Sequence, residues 1–251
     1  MMRVFLACLL LFGVAFVTGV AAAPVKACGG DSNWPPMSYI KHPGQAVEGF
    51  SADILRSVFS PQPEISLRPW ARCLVEVLAY QRFDIAMSLF KTPERETQFL
   101  FSRSYYSLTP SYMYAATRFA APPILQLSDL AKYKVCALHG ASIFYTKLPG
   151  SAIDSGAPNY SSLIKKLERG YCDVVVDMHE VFTGFFKLDL LPFDARQYPI
   201  VALPGTEKYL LHFGVAKQHP EAAAIIGHID SGLQELQRNG KLGNLIMKYQ
   251  K

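Results

Sequence analysis

Strand-like and helix-like segments alternate along this chain, and this alternation restricts the fold more than any other feature. In the first half, apolar strand patterns at 25–28, 64–68 and 83–88 flank amphipathic helix patterns at 51–59 and 71–80. Such a β-α-β-α-β unit is typical of a mostly parallel sheet with helices packed on its faces. The sequence therefore predicts an α/β fold.

A second unit of the same kind follows. Strand patterns at 134–138 and 173–177 enclose a helix pattern at 161–168, and two further helices are predicted at 221–237 and 242–249. In addition, a turn at Gly140 to Ser142 predicts a helix start. The repetition predicts a second lobe with its own sheet.

Two extended segments, 111–117 and 209–216, connect these units and mark where the chain crosses between lobes. We predict a two-lobed α/β fold. Each lobe is a mostly parallel sheet flanked by helices, and two hinge strands join the lobes. Lobe 1 takes residues 23–112 and 211–251, and lobe 2 takes residues 113–210, including the hinge crossings.

The N-terminus predicts export. Arg3 precedes an apolar run at 4–17, and Val20-Ala21-Ala22 fits the small-residue rule for cleavage, so residues 1–22 are predicted to be a signal peptide. The alternative is a membrane anchor, but the run is shorter than the ~20 residues that a spanning helix needs. A periplasmic location is therefore expected.

The charge of the chain argues against nucleic acid as a partner. The formal net charge is only +5 for 251 residues, and Lys and Arg form no block that follows phosphates. We expect a monomer whose partner is a small solute.

Four cysteines, Cys28, Cys73, Cys136 and Cys172, remain after cleavage. An even number in an exported chain indicates two disulfides, for which three pairings exist. We favour Cys28–Cys73 and Cys136–Cys172, because each pair then lies within one lobe. The alternative is a metal site, but no CxxC or HxxxH spacing supports it, so neither a metal nor another cofactor is predicted.

Ligands of open α/β sheets bind at the carboxyl ends of strands, and the loop after the first strand is one such place. Trp34, beside two prolines, is a candidate aromatic wall, and Trp70 is a candidate wall facing it across a cleft. Asp31 is a candidate partner for a cationic group. The alternatives are packing tryptophans and a solvated aspartate.

A polar pair is expected where the third strand ends. Ser88 ends this strand, and Arg95 lies in a helix start that Thr92 caps. Arg95 has no carboxylate four residues away on either side, which leaves its guanidinium available to bind a carboxylate through two hydrogen bonds. The alternative is a surface salt bridge to Glu94 or Glu96.

The second lobe offers a further pair. Ser142, in the turn after Gly140, can donate a hydroxyl and a backbone N–H to one anion, and Asp177, at the end of a buried strand, can hold an ammonium group. A capping role is the alternative for each. Together with the first-lobe residues, this pair suits a zwitterion held between two lobes.

The chain resembles the family 3 periplasmic solute-binding proteins, the polar amino-acid class that supplies ABC importers. The motifs that carry the resemblance, in order, are Gly49-Phe50-Ser51-Ala52-Asp53-Ile54, Pro69-Trp70-Ala71-Arg72-Cys73-Leu74, Thr92-Pro93-Glu94-Arg95, Phe101-Ser102, Tyr105-Tyr106, Gly170-Tyr171-Cys172-Asp173 and Asn239-Gly240-Lys241-Leu242.

The resemblance implies roles for the candidate residues. Aromatic walls fall on Trp34 and Trp70, the α-carboxylate arginine on Arg95, and hydroxyl partners on Ser88 and Ser142. An ammonium-binding acid falls near Asp177.

Two positions depart from the family. Phe90 stands where the family has a small hydroxyl residue, and Met178 stands where it has an acid, for which Glu180 is a possible substitute. Both departures touch the groups that would hold an amino acid.

The resemblance implies the two-lobed periplasmic binding protein fold. It also implies a binding protein that closes on its ligand and docks on a membrane ABC permease, and not an enzyme. Two alternatives stay open. The chain also resembles periplasmic dehydratases that act on cyclohexadienyl acids, in which Asp177 or Glu180 would act as acid or base. The third possibility is a sensor that reports its ligand to a membrane receptor.

Overall fold

The computed structural model describes residues 23–191 and 194–250, without the side chains of residues 195 and 250. The predicted signal peptide lies outside these residues. Within the described ranges, no helix combines the length and apolar character needed to cross a membrane.

The strands are β1 (Lys26–Gly30), β2 (Glu64–Arg68), β3 (Ile85–Phe90), β4 (Phe99–Phe101), β5 (Tyr106–Leu108), β6 (Pro110–Tyr114), β7 (Val135–Leu138), β8 (Ile153–Ala157), β9 (Val174–Met178), β10 (Ile200–Ala202) and β11 (Tyr209–Ala216).

Helices flank these strands. Short 3-10 turns occur at Leu127–Lys132, Phe144–Thr146, Gly150–Ala152 and Ala195–Gln197. The α-helices are α1 (Phe50–Val58), α2 (Trp70–Leu78), α3 (Pro93–Gln98), α4 (Tyr160–Glu168), α5 (His179–Lys187), α6 (Ala222–Arg238) and α7 (Lys241–Gln250).

The strands form two sheets. The first has the order β2-β1-β3-β11-β4, with β5 paired to β11, and the second has the order β10-β6-β9-β7-β8. In the first, β1 is parallel to β2 and β3, and β11 is antiparallel to its neighbours. In the second, β7 is parallel to β8 and β9, and β6 is antiparallel to β9 and β10. The predicted two-lobed α/β class is confirmed, and each parallel unit is extended by antiparallel strands.

The chain crosses between the sheets twice. It passes from β5 to β6 at Thr109, and it returns between β10 and β11, from Ala202 to Tyr209. The boundaries predicted at 112/113 and 210/211 fall inside β6 and β11, so both crossings lie a few residues earlier. The physical reason is that β6 and β11 start directly after the crossings, and their extended pattern does not mark the change of sheet.

The first crossing is anchored to the second lobe. The carboxylate of Glu180, in the first turn of α5, accepts hydrogen bonds from the backbone N–H and the hydroxyl of Thr109, both at 2.9 Å. The N–H of His179 donates to the carbonyl oxygen of Thr109 at 2.8 Å. These bonds occupy both carboxylate oxygens of Glu180, which the sequence allowed as a ligand or catalytic group.

One predicted helix does not form. After Gly140 the chain makes only the 3-10 turn at Phe144–Thr146, and Lys147 ends it with a left-handed φ of 58°. Pro149 follows two residues later, and the β-branched and aromatic residues of this segment have low helix propensity. The segment therefore remains a loop that faces the other lobe.

The favoured cysteine pairs lie at disulfide distance. The sulfur atoms are 2.09 Å apart in Cys28–Cys73, which joins β1 to α2, and 1.93 Å apart in Cys136–Cys172, which joins β7 to the segment before β9. Each pair closes a loop within one lobe, so the two lobes are not covalently linked to each other by these disulfides.

Two glycines inside α6 test how closely this helix packs on α1. A Cβ atom on Gly232 would lie 2.5 Å from a methyl carbon of Val58, whereas a Cβ on Gly227 would meet no atom within 4 Å. We predict that Gly232→Ala lowers the free energy of unfolding by about 1–3 kcal/mol, because it overpacks the interface. Gly227→Ala should raise it by about 0.5–1 kcal/mol through helix propensity.

Urea unfolding of the two single variants, with the disulfides intact, measures both effects. Equal changes of the same sign would contradict the close packing of α6 on α1.

Candidate functional site

A cavity of about 590 Å³, counted with the part that opens to solvent, lies between the two lobes. Its wall includes residues at the carboxyl ends of three strands, Gly30 of β1, Phe90 of β3 and Leu138 of β7, and Asp177 next to the end of β9. Ligands of α/β proteins bind at this edge of a sheet.

The cavity brings together most of the residues that the sequence singles out. Asp31 does not line it. That side chain is exposed, and its backbone N–H donates to the carbonyl oxygen of Arg68 at 2.7 Å, continuing the pairing of β1 with β2. The next residues turn inward instead. The predicted residues in the wall are Trp34, Trp70, Ser88, Arg95, Ser142 and Asp177.

Arg95 reaches the cavity from the first turn of α3. Thr92 caps this helix by accepting a hydrogen bond from the backbone N–H of Arg95 at 3.3 Å, as predicted. The guanidinium donates to the carbonyl oxygen of Phe90 at 3.1 Å and lies 6.0 Å from the ring centroid of Trp70. No carboxylate in the described part of the chain forms an ion pair with it.

The protonation state of Arg95 matters for what it can bind. Burial lowers the pKa of Arg95 to about 10, while the charge of Glu94 acts in the opposite direction. The guanidinium is therefore still protonated at neutral pH. It is a largely buried cation whose counter-charge is missing from the described residues.

Ser88 owes its place to an irregularity of β3. It has a left-handed φ of 58°, at the point where the pairing of β3 with β11 shifts register. A serine in this conformation is strained, and such strain is concentrated at functional sites. Its hydroxyl bonds the hydroxyl of Ser51 at 2.9 Å and lies 3.4 Å from that of Tyr105. Ser88 thus ties the cavity wall to a buried group of hydroxyls.

Ser142 faces the cavity from the other lobe. It follows Gly140, whose φ of +73° suits glycine. Its hydroxyl has no hydrogen-bond partner among the residues that the structure describes. A free hydroxyl on the second lobe is able to donate to a ligand that Arg95 holds from the first.

Asp177 is buried and already hydrogen-bonded. Its carboxylate accepts hydrogen bonds from the hydroxyl of Tyr160 and, at 2.7 Å, from the backbone N–H of Met178. The side chain of Trp34 approaches this carboxylate from the first lobe. Burial nevertheless raises the pKa of Asp177 to about 6, because these bonds compensate only part of the desolvation.

The two lobes touch around the cavity. The hydroxyl of Ser32 donates to the carbonyl oxygen of Pro158 at 2.9 Å, and the ring centroids of Phe90 and Phe144 are 6.2 Å apart. Together with the contact between Trp34 and Asp177, these interactions hold the cleft in a closed arrangement.

Sequence reasoning missed Tyr160 and did not place Phe90. Tyr160 opens α4 behind the cap Asn159, and its only signal is an aromatic ring at a helix start. Phe90 meets Trp34 edge to face, with centroids 5.9 Å apart, so the first lobe presents two adjoining rings to the cavity. The aromatic wall is thus Trp34 with Phe90, and Trp70 underlies Arg95.

The raised pKa of Asp177 predicts a pH-dependent stability. The folded value of about 6 lies above the ordinary 3.8, so ionisation costs stability at pH 7, and acidification toward pH 4 relieves this cost. Relative to Asp177→Asn, the free energy of unfolding of the unmodified protein should rise by up to about 3 kcal/mol as the pH falls from 7 toward 4. Urea unfolding of both ligand-free proteins at several pH values measures the difference. Asp31→Asn, which removes an exposed acid, serves as the control. The assignment is refuted if the unmodified protein gains as much free energy of unfolding relative to Asp31→Asn as it does relative to Asp177→Asn.

The chain was compared with known families and structures. The model of the bacterial extracellular solute-binding proteins, family 3, matches residues 27–251. No curated protein sequence matches the chain significantly.

Three solved structures are similar in fold. The amino acid ABC transporter substrate-binding protein AbpA from Streptococcus pneumoniae, bound to L-arginine, has a TM-score of 0.74 and 22% identity, over 90% of this chain and 94% of that one. The arginine-, lysine-, histidine-binding protein ArtJ from Geobacillus stearothermophilus has a TM-score of 0.74 and 18% identity, over 90% and 95% of the two chains. The ancestral amino acid-binding protein AncCDT-1, a precursor of cyclohexadienyl dehydratase, has a TM-score of 0.72 and 18% identity, over 91% and 96%.

At these identities the structures show a shared fold and leave the ligand open. The family match spans nearly all of the described residues and both lobes. The chain belongs to the bacterial extracellular solute-binding proteins, family 3.

Proposed function

We propose that this chain is the periplasmic substrate-binding component of an ABC importer and that it binds an amino acid or a close relative between its lobes. The observation that carries the proposal is the buried guanidinium of Arg95, which faces the cavity without an ion-pair partner among the described residues. A guanidinium binds a carboxylate through two parallel hydrogen bonds, and burial strengthens the attraction. AbpA, which is bound to L-arginine, and ArtJ, an arginine-, lysine-, histidine-binding protein, support the same ligand class.

The two crossings support binding by hinge closure. Among the described residues, the chain passes between the lobes at Thr109 and at the segment from Ala202 to Tyr209, and a rotation about these points opens the cavity. The bonds from Thr109 to Glu180 hold one of the two crossings against the second lobe. We propose that the closed, ligand-bound monomer docks on a membrane permease.

One observation favours a second candidate, an acid–base enzyme on the same fold. Asp177 is buried in the cavity wall, and its pKa of about 6 suits proton transfer near neutral pH. AncCDT-1 is an amino acid-binding protein and a precursor of cyclohexadienyl dehydratase, so dehydration of a cyclohexadienyl acid is the reaction to test. Turnover of prephenate that Asp177→Asn abolishes would favour the enzyme, and binding without turnover favours the importer component.

The binding proposal predicts that Arg95 is required for ligand-induced stabilisation. The mature protein from Ala23 is unfolded and refolded to remove bound solute, then screened by thermal shift against L- and D-amino acids, polyamines, dicarboxylates and sugars. A ligand at about 100 times its Kd stabilises the fold by about 2.7 kcal/mol. We expect a carboxylate-bearing ligand to raise the Tm, and Arg95→Ala to abolish the rise.

Arg82→Ala is the matched control, because Arg82 is an exposed arginine of the first lobe outside the cavity wall. It should retain the full shift. Each variant is compared with its own ligand-free Tm, so a change in intrinsic stability does not mimic a loss of binding. A strong ligand whose effect survives Arg95→Ala would contradict the proposed carboxylate site.

A further inference from the structure

We infer that the cavity selects a carboxylic acid with an aromatic or branched apolar body and no ammonium group over the α-amino acid of the same shape. The inference rests on the proposed function and narrows its ligand class. It follows from how the cavity treats its two charges and from what surrounds them.

The cavity wall holds a cation with free hydrogen-bond donors and an anion whose two oxygens already accept hydrogen bonds. Among the described residues that line it, Arg95 and Asp177 carry the charged side chains. The guanidinium of Arg95 makes one hydrogen bond, to the carbonyl oxygen of Phe90, which leaves most of its five N–H donors for a ligand. A ligand carboxylate supplies the counter-charge that the fold omits.

Asp177 is already committed to donors of the protein. The hydroxyl of Tyr160 donates to one carboxylate oxygen of Asp177, and the backbone N–H of Met178 donates to the other. An ammonium group on a ligand would have to compete with these two donors for a buried carboxylate. Tyr160 is itself a packed side chain, with its ring centroid 4.3 Å from that of Phe185.

Two further acids that the sequence offered as ligand groups are also unavailable to an ammonium group in the cavity. Glu180 holds Thr109 through both carboxylate oxygens, and Asp31 is exposed outside the cavity wall. An ammonium buried without a carboxylate or an equivalent set of acceptors is strongly destabilised. The cavity thus recognises the carboxylate end of an amino acid and penalises its amino end.

The remaining wall is apolar. Trp34 and Phe90 meet edge to face, and Met87 and Leu138 lie beside them in the cavity. Trp70 underlies the guanidinium of Arg95, so an aromatic face adjoins the carboxylate site. These surfaces fit an aromatic ring or a branched aliphatic chain that extends from the carboxylate.

Matched ligand pairs test the inference directly. Isothermal titration of the stripped, refolded mature protein compares 3-phenylpropionate with L-phenylalanine, and 4-methylpentanoate with L-leucine. Within each pair only the ammonium group differs. We expect the acid of at least one pair to bind with a Kd at least tenfold lower than its amino acid, and 3-phenylpropionamide, which lacks the carboxylate, not to bind.

Two variants locate the cause of the preference. Arg95→Gln should abolish binding of the preferred acid. Tyr160→Phe keeps the aromatic ring but removes the hydroxyl, which frees an acceptor position on Asp177, so the preference for the acid should fall severalfold. Arg82→Ala again serves as a control outside the cavity wall and should leave the ratio unchanged.

The failures of the two proposals are distinguishable. If the amino acid of a pair binds as tightly as the acid or more tightly, the inference is overturned while the proposed function stands. If no member of either pair binds, the inference is overturned, and the wider ligand panel decides the proposed function. If the solute that binds lacks a carboxylate and is insensitive to Arg95→Gln, both are overturned.

Discussion

The site depends on one topological constraint, namely that two separate sheets turn the carboxyl ends of their parallel strands toward the same cleft. On one side of the cleft, the loop of Trp34 and the start of α3 follow the ends of β1 and β3. On the other side, Ser142 follows β7 and Asp177 lies at the end of β9. The antiparallel strands β6 and β11 follow directly after the crossings, and they join each returning segment to the sheet it enters. Without that pairing, the segments that enter each sheet would not be fixed to it, and the strand ends of the two sheets would not form one cleft.

The two buried charges are treated in opposite ways, and this asymmetry gives the cleft its chemistry. Asp177 is desolvated, but each of its two carboxylate oxygens accepts a hydrogen bond from its own lobe. Arg95 is desolvated and has one carbonyl oxygen and an aromatic face. Buried charges are normally paired within a protein, so a cation left in this state indicates that its partner comes from outside.

Much of this arrangement is predictable from the sequence, because local rules act on it. Thr92 and Pro93 mark a helix start, and the position of Arg95 on its first turn then follows from helix geometry. Trp34 and Asp177 follow from the rule for strand ends. The cysteine pairs follow from the layout of the lobes.

What the sequence does not reveal depends on contacts between distant segments. Asp31 is two residues from Asn33, yet a backbone bond to Arg68 leaves it outside the cavity wall. The hydroxyl of Ser88 turns toward Ser51 because β3 bulges against β11, which no pattern in β3 alone predicts. Tyr160 reaches Asp177 only once the second sheet has formed, and the contact of both with Trp34 requires the lobes to meet.

These contacts also determine what a ligand must contribute to closure. The bond from Ser32 to Pro158, the packing of Phe90 on Phe144 and the contact of Trp34 with Asp177 all join the lobes without any solute. The desolvation of Arg95 opposes closure, since it removes water from a cation and supplies no counter-charge. A ligand shifts such an equilibrium only by its differential affinity for the two states. A carboxylate bonded to Arg95 has that property, because it gains its full attraction only after closure has excluded water.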